Sequence, residues 1–239
     1  MAEAPWARGL RAVAWMLVAV LVGALGVGMG FQVREALDRE RDFRAAPECA
    51  SVPVEVSDCL WEQDFTVRGT DLNSGRDGES PEADLELPGG EPWHVTFRNT
   101  GPVLSGLAPD EKVVGLVWKG DVVEVRDAEG RRQQTSDGPV GWPEDRLAGA
   151  IGCVSFGVVA FAGGLWGLFG RRSRRHVVAA AAVRWHALAI GAAAIVMLWV
   201  QAGAGWPMWS IPVGWGVAAL VLLGSAVGFA LAGLRGVIR

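Results

Sequence analysis

Tyrosine is absent from this chain of 239 residues, lysine occurs only as Lys112 and Lys119, and there are three cysteines. Arginine therefore supplies nearly all the basic charge, and Ala, Gly and Val abound, a composition typical of a GC-rich bacterial genome. No G-x-S-x-G, H-E-x-x-H, P-loop or G-x-G-x-x-G motif occurs, which removes the readings that each would license. The most informative absence is of charge. Residues 13–31, 147–169, 185–200 (extendable past Gln201 to 205) and 211–234 contain no Asp, Glu, Lys or Arg. A helix needs roughly 20 mainly apolar residues to cross ~30 Å of hydrocarbon. A chain of this length cannot bury four all-apolar helices in a soluble core and still cover them with polar surface. Four transmembrane helices are predicted. Their interiors lack ionisable groups, which disfavours ion-coupled transport and proton relays.

The distribution of charge predicts orientation. Between residues 32 and 146 lie 25 of the 26 acidic residues but 13 of the 22 basic ones, a net charge of −12 for that stretch. The other basic residues sit in three short polar pieces: Arg8 and Arg11; Arg171, Arg172, Arg174, Arg175 and Arg184; and Arg235 and Arg239. Short Arg-rich pieces stay in the cytoplasm. The expected order is a cytoplasmic N-terminus (1–12), helix one (13–31), a helical stalk (32–46), an extracytoplasmic β-rich domain (47–146) and helix two (147–169). A cytoplasmic Arg-rich loop (170–184), helix three (185–203), an outer hairpin (204–210), helix four (211–234) and a cytoplasmic C-terminus (235–239) follow. The first apolar run has 19 residues with no A-x-A pattern ahead of the polar stretch, as expected of an uncleaved anchor.

The stalk carries Glu35 with Arg39, and Glu40 with Arg44, in the order that favours helical ion pairs, and Pro47 ends it. From Ser51 to Thr135 the period becomes alternating, most clearly where Trp93, Val95 and Phe97 share one face and His94, Thr96 and Arg98 the other. Turn signals such as Pro88-Gly-Gly and Lys119-Gly-Asp separate the runs. Five to seven short strands predict a small antiparallel barrel or sandwich. The polar, Gly-rich segment 71–84 reads as a mobile loop.

Cys49 and Cys59 flank nine residues on the expected outer side, where such a pair oxidises to a disulfide. A redox pair or metal site is the competing reading, but the spacing is not C-x-x-C and the only outer histidine, His94, is distant. Cys153 reads as a packing residue within the second span. His94 reads as a structural surface histidine. The acidic residues Asp71, Asp77, Glu79, Glu82 and Asp84 lack calcium-loop spacing and read as solvated surface. The run Arg171-Arg-Ser-Arg-Arg-His176 reads as a topology determinant that also attracts anionic headgroups; nucleic-acid binding would need a folded cytoplasmic domain. Gly26-x-x-x-Gly30, Gly163-x-x-x-Gly167 and Gly224-x-x-x-Gly228 permit close helix approach. Tryptophans near both ends of the spans read as interfacial anchors.

The anchor, the stalk ending Phe43-Arg-Ala-Ala-Pro-Glu-Cys49, then Asp58-Cys59-Leu60, Phe65-Thr-Val-Arg-Gly-Thr70, Val117-Trp-Lys-Gly-Asp-Val-Val123 and Thr135-Ser-Asp-Gly-Pro139 form a characteristic order. In it the chain resembles uncharacterised multi-pass membrane proteins of Streptomyces-type actinobacteria. The resemblance implies a Gram-positive cell surface and carries no activity. The expectation is a non-enzymatic plasma-membrane protein whose partners are the bilayer and another membrane or envelope protein, with no cofactor. Its mark would be an apolar patch near Trp61 or Trp118. The alternative is a membrane enzyme or small transporter with a site at the domain junction, built from His94, Arg98 or Arg146.

Overall fold

A computed structural model describes residues 5–53, 55–72, 80–170 and 173–235. The chain falls into two compact units: Met1–Leu37 with Gly141–Arg239, and Asp38–Val140. Four helices are long and apolar enough to cross a membrane.

Helix α1 (Pro5–Ala45) runs unbroken through both the first apolar stretch and the stalk, about 62 Å at 1.5 Å per residue. It stops two residues before Pro47, in keeping with proline's missing N–H and the restriction it places on the residue ahead. Glu40 pairs with Arg44 as expected, and Arg41 pairs with Asp38 at 3.1 Å.

The helical unit is completed by α2 (Trp142–Phe169), α3 (Arg174–Ala204) and α4 (Ser210–Arg235). Small residues let α2 meet neighbours on two sides. A Cβ added at Gly157 would stand 2.8 Å from the Ala19 carbonyl oxygen of α1, and one at Gly152 would stand 3.0 Å from the Gly191 oxygen of α3. Ala19, Ala160 and Ala187 are buried together between these helices. In lipid, where apolar surfaces gain nothing by finding one another, such close van der Waals approach is the main source of helix association. The first two glycine pairs are used in this way at Gly26, Gly163 and Gly167, whereas Gly224 and Gly228 face open space. Polar links join α3 to α4: His186 Nε2 lies 2.7 Å from Ser225 Oγ, and Trp215 Nε1–H donates to the Ile190 carbonyl at 3.2 Å. Helix α3 begins at Arg174 rather than near residue 185, so the stretch expected as an Arg-rich loop is helical from there on. Arg171 and Arg172 lie outside the described residues.

The second unit is one antiparallel sheet of six strands, β1 (Trp61–Asp71), β2 (Glu82–Glu86), β3 (Pro92–Thr96), β4 (Lys112–Trp118), β5 (Asp121–Arg126) and β6 (Arg132–Gln134), in the order β3-β2-β1-β4-β5-β6. Strand β1 is the spine. Its first half pairs with β4 and its second half with β2. The inward positions Phe65, Val67, Leu85, Val95, Phe97, Val113, Val117, Val122 and Val125 form the core, joined by Val103, Leu104 and Leu107 from the β3–β4 connection. The buried Gln133 side chain holds that connection: its Oε1 accepts from the Val103 and Leu104 N–H groups at 2.8 and 3.0 Å. Gly115 faces Phe65 so closely that an added Cβ would stand 2.7 Å from the ring.

The expected barrel or sandwich is corrected here. The described residues form one sheet, not two facing ones, and its ends share a single isolated bridge, Phe97–Thr135, with the Ser136 N–H donating to the Thr96 oxygen at 2.8 Å. Three-residue β6 is too short to carry a closing ladder. The loop expected over 71–84 is shorter than its composition suggests. Asp71 ends β1, Glu82 and Asp84 pair with β3 inside β2, and the stretch 73–79, with Asp77 and Glu79, lies outside the described residues.

Gly157→Val should lower the thermal midpoint of the detergent-purified chain by the equivalent of about 1–3 kcal/mol, because the backbone of α1 cannot yield. Gly224→Val, in open space, should leave it unchanged. Equal shifts in the two variants would contradict the packing described.

Candidate binding groove

The face of the sheet opposite the core carries two cross-strand rows. Glu62, Leu116 and Glu124 stand opposite one another in the first, and Asp64, Val114 and Arg126 in the second. Alternation would place polar side chains on this face, yet Val114 and Leu116 make an apolar floor at its centre and are only partly buried. Above the floor runs the arm that follows α1. The Cys49 N–H donates to the Leu60 oxygen and the Leu60 N–H to the Pro47 oxygen, both at 2.8 Å, and the Cys49–Cys59 disulfide ties the arm down. Arm and sheet enclose a groove of ≈ 630 Å³ whose walls include Val52, Leu60 and Trp61.

The lining also carries charge of both signs, in Glu48, Glu62, Glu124, Arg126 and Arg132, much of it paired. Arg126 lies 3.0 Å from Glu62 and Arg132 lies 3.6 Å from Glu124, while Gln134 Nε2–H donates to Glu124 at 2.7 Å. Exposed pairs of this kind add little stability. Their effect is to hold long side chains across the strands. The groove therefore offers apolar contact alongside both signs of charge. Among the described residues no group of three or more His, Cys, Asp or Glu side chains is placed to hold a metal ion.

Trp61 thus lines the groove, but Trp118 does not form an exposed patch. It is 1% exposed, with Phe43 of α1 edge-on at 5.5 Å, and the Arg39 and Lys119 cations 5.9 and 4.7 Å from its ring. Arg39 also reaches Asp121 at 3.9 Å, where burial, and after it the nearby Asp137, pushes the carboxyl upward. This cover comes from a helix 75 residues away in sequence from the tryptophan, and alternation along β4 carries no signal of it.

His94 and Arg98 serve separate partners. Arg98 donates to the Gly138 oxygen at 3.5 Å, whereas Arg146 belongs to the helical unit and lies 6.0 Å from the Trp142 ring. His94 is held between two carboxylates, with Nδ1 3.0 Å from Asp84 Oδ1 and Nε2 3.0 Å from Glu82 Oε2. Ionised carboxylates only accept hydrogen bonds, so both contacts are made together only by the imidazolium. The Asp84 hydrogen bond raises the histidine above its ordinary value against the opposing effect of burial. Nearby, Arg68 donates to both Glu86 oxygens at 2.6 and 2.7 Å, and this hydrogen bonding lowers the glutamate. Of the arginines expected to set topology, Arg8 and Arg11 lie in the first turns of α1, and Arg174 and Arg175 open α3.

No protein-family model, curated protein or solved structure matches this chain.

Because the folded-state value of His94 is raised, its clamp contributes fully below the unfolded value of ~6.5 and is lost as pH rises through the folded one. Amide exchange across β2 and β3 should be slower in the parent than in His94→Gln at pH 5.5, and the two should converge once the pH has risen through the folded-state value and the imidazole is neutral. A difference that persists at the higher pH, or none at the lower, would contradict the clamp.

Proposed function

We propose that this chain is a non-enzymatic plasma-membrane protein that presents the sheet unit, outside the cell, as a binding module for a partner in the envelope. The observation that carries the reading is the groove itself. An apolar floor at Val114 and Leu116 interrupts an otherwise polar sheet face, under an arm fixed by the Cys49–Cys59 disulfide. The partner would be another membrane or envelope protein offering an apolar segment flanked by charge.

The outward placing of the sheet unit is supported by the disulfide, which belongs to oxidising compartments, and by the segregation of acid from arginine. Both termini would then be cytoplasmic. The likeness in motif order to actinobacterial membrane proteins supports a Gram-positive envelope as the setting.

Two measurements test this. In a Cys153→Ala background that keeps the disulfide, an impermeant maleimide should modify Glu91→Cys in whole cells and Ser173→Cys only after lysis. The reverse pattern would overturn the topology. A photo-crosslinking residue at position 116 should give a discrete adduct in living cells that Val114→Glu abolishes and that position 91 does not give. Identical labelling at 116 and 91 would remove the groove as the binding surface.

A further inference from the structure

One end of the helical unit gathers cations. Arg184 of α3 lies against α2: a Cβ added at Gly163 would stand 2.8 Å from Arg184 Cγ, and one at Gly167 would stand 3.5 Å from Nη1. Its guanidinium carbon is 5.8 Å from the centre of the Trp15 ring of α1. Ala12 meets the same stretch of α2, its carbonyl oxygen 3.2 Å from a Cβ placed at Gly164. Arg11, one residue earlier, therefore belongs to the same level. So do the first turns of α3, where His176 Nδ1 accepts from Trp166 Nε1–H at 3.1 Å.

The described carboxylates of this unit are Glu35, Glu144 and Asp145. Glu35 lies about 30 Å along α1 from Trp15, and Asp145 about 33 Å along α2 from Gly167, at 1.5 Å per residue. Arg184 thus has no carboxylate partner among the described residues, although it is partly buried and directly precedes the charge-free run of α3. A guanidinium at the edge of hydrocarbon is costly unless an anion meets it.

We propose that Arg184, with Trp15 as a wall, binds the phosphate of an anionic phospholipid at this end of the helical unit. The guanidinium fork matches phosphate oxygens in a bidentate fashion. A lipid fits better than free phosphate because Val13, Leu17 and Leu188, all exposed, lie within two turns and offer the acyl chains an apolar surface. The inference rests on the membrane reading above.

The test uses the full chain in detergent, with native mass spectrometry against phosphatidylglycerol and phosphatidylcholine. The parent should retain phosphatidylglycerol preferentially. R184Q should bind it about fivefold more weakly, the factor given by ~1 kcal/mol per basic residue, and R184K should fall between. Equal retention of the two lipids by the parent, or an unchanged preference in R184Q, overturns the site. Displacement of the lipid by millimolar inorganic phosphate would make free phosphate the ligand and overturn the lipid assignment. A preference seen only in E3Q would make Glu3 the counterion and equally overturn it. If R184Q does not fold, the parent's lipid preference and R184K still decide. Carbonate washing separates the two readings: a chain that stays in the membrane without lipid preference sinks this site alone, whereas a chain that washes off sinks the membrane reading.

Discussion

A charged side chain at the centre of a membrane-spanning helix costs about 2.5–3.5 kcal/mol on insertion scales. On the membrane reading proposed above, that penalty organises this chain. Wherever charge is withheld for some twenty residues, the backbone must satisfy its own hydrogen bonds, and α1 to α4 result. With little hydrophobic gain between helices in lipid, the bundle then depends on how closely backbones approach. The glycines of α2 set that distance toward α1 and α3. Charge is thereby concentrated in the sheet unit and beside the apolar runs, where Arg11 and Arg184 stand.

The sheet unit solves a different problem with few residues. Strand β1 belongs to both wings of the sheet, so Phe65 and Val67 sit at the junction of two halves of one core. Gln133 supplies from its side chain the acceptor that the turn at Val103 and Leu104 lacks, and Gly115 leaves room for the Phe65 ring. The disulfide brings the arm across the face opposite the core and turns a flat surface into a groove.

The four apolar helices are legible in the sequence because absence of charge over a long run is a strong signal, and the disulfide because spacing and the expected compartment agree. The beginning of α3 is not, since arginine reads as loop in a charge-based argument. The stretch from Arg174 to Arg184 nevertheless contains no Gly or Pro and four consecutive alanines, good helix formers. The period at Trp93 marks its strand and the buried face, but strand order needs non-local pairing. Val114 and Leu116 fall within a continuous apolar run that hides which face each side chain takes. The pairing of His94 with Asp84 does leave a trace: the Pro88-Gly89-Gly90 turn centres a hairpin in which residues equidistant from it face each other.

Phe43 and Arg39 belong to α1, yet what they cover is the Trp118 indole, a side chain of the kind that buries some 150–250 Å². The sheet unit accordingly begins inside a helix, at Asp38, and not at the proline that punctuates the sequence. Shedding of this unit by a protease acting between Ala45 and Pro47 would release a fragment with an uncovered aromatic surface, prone to self-association, whereas a cut ahead of Asp38 would release it intact.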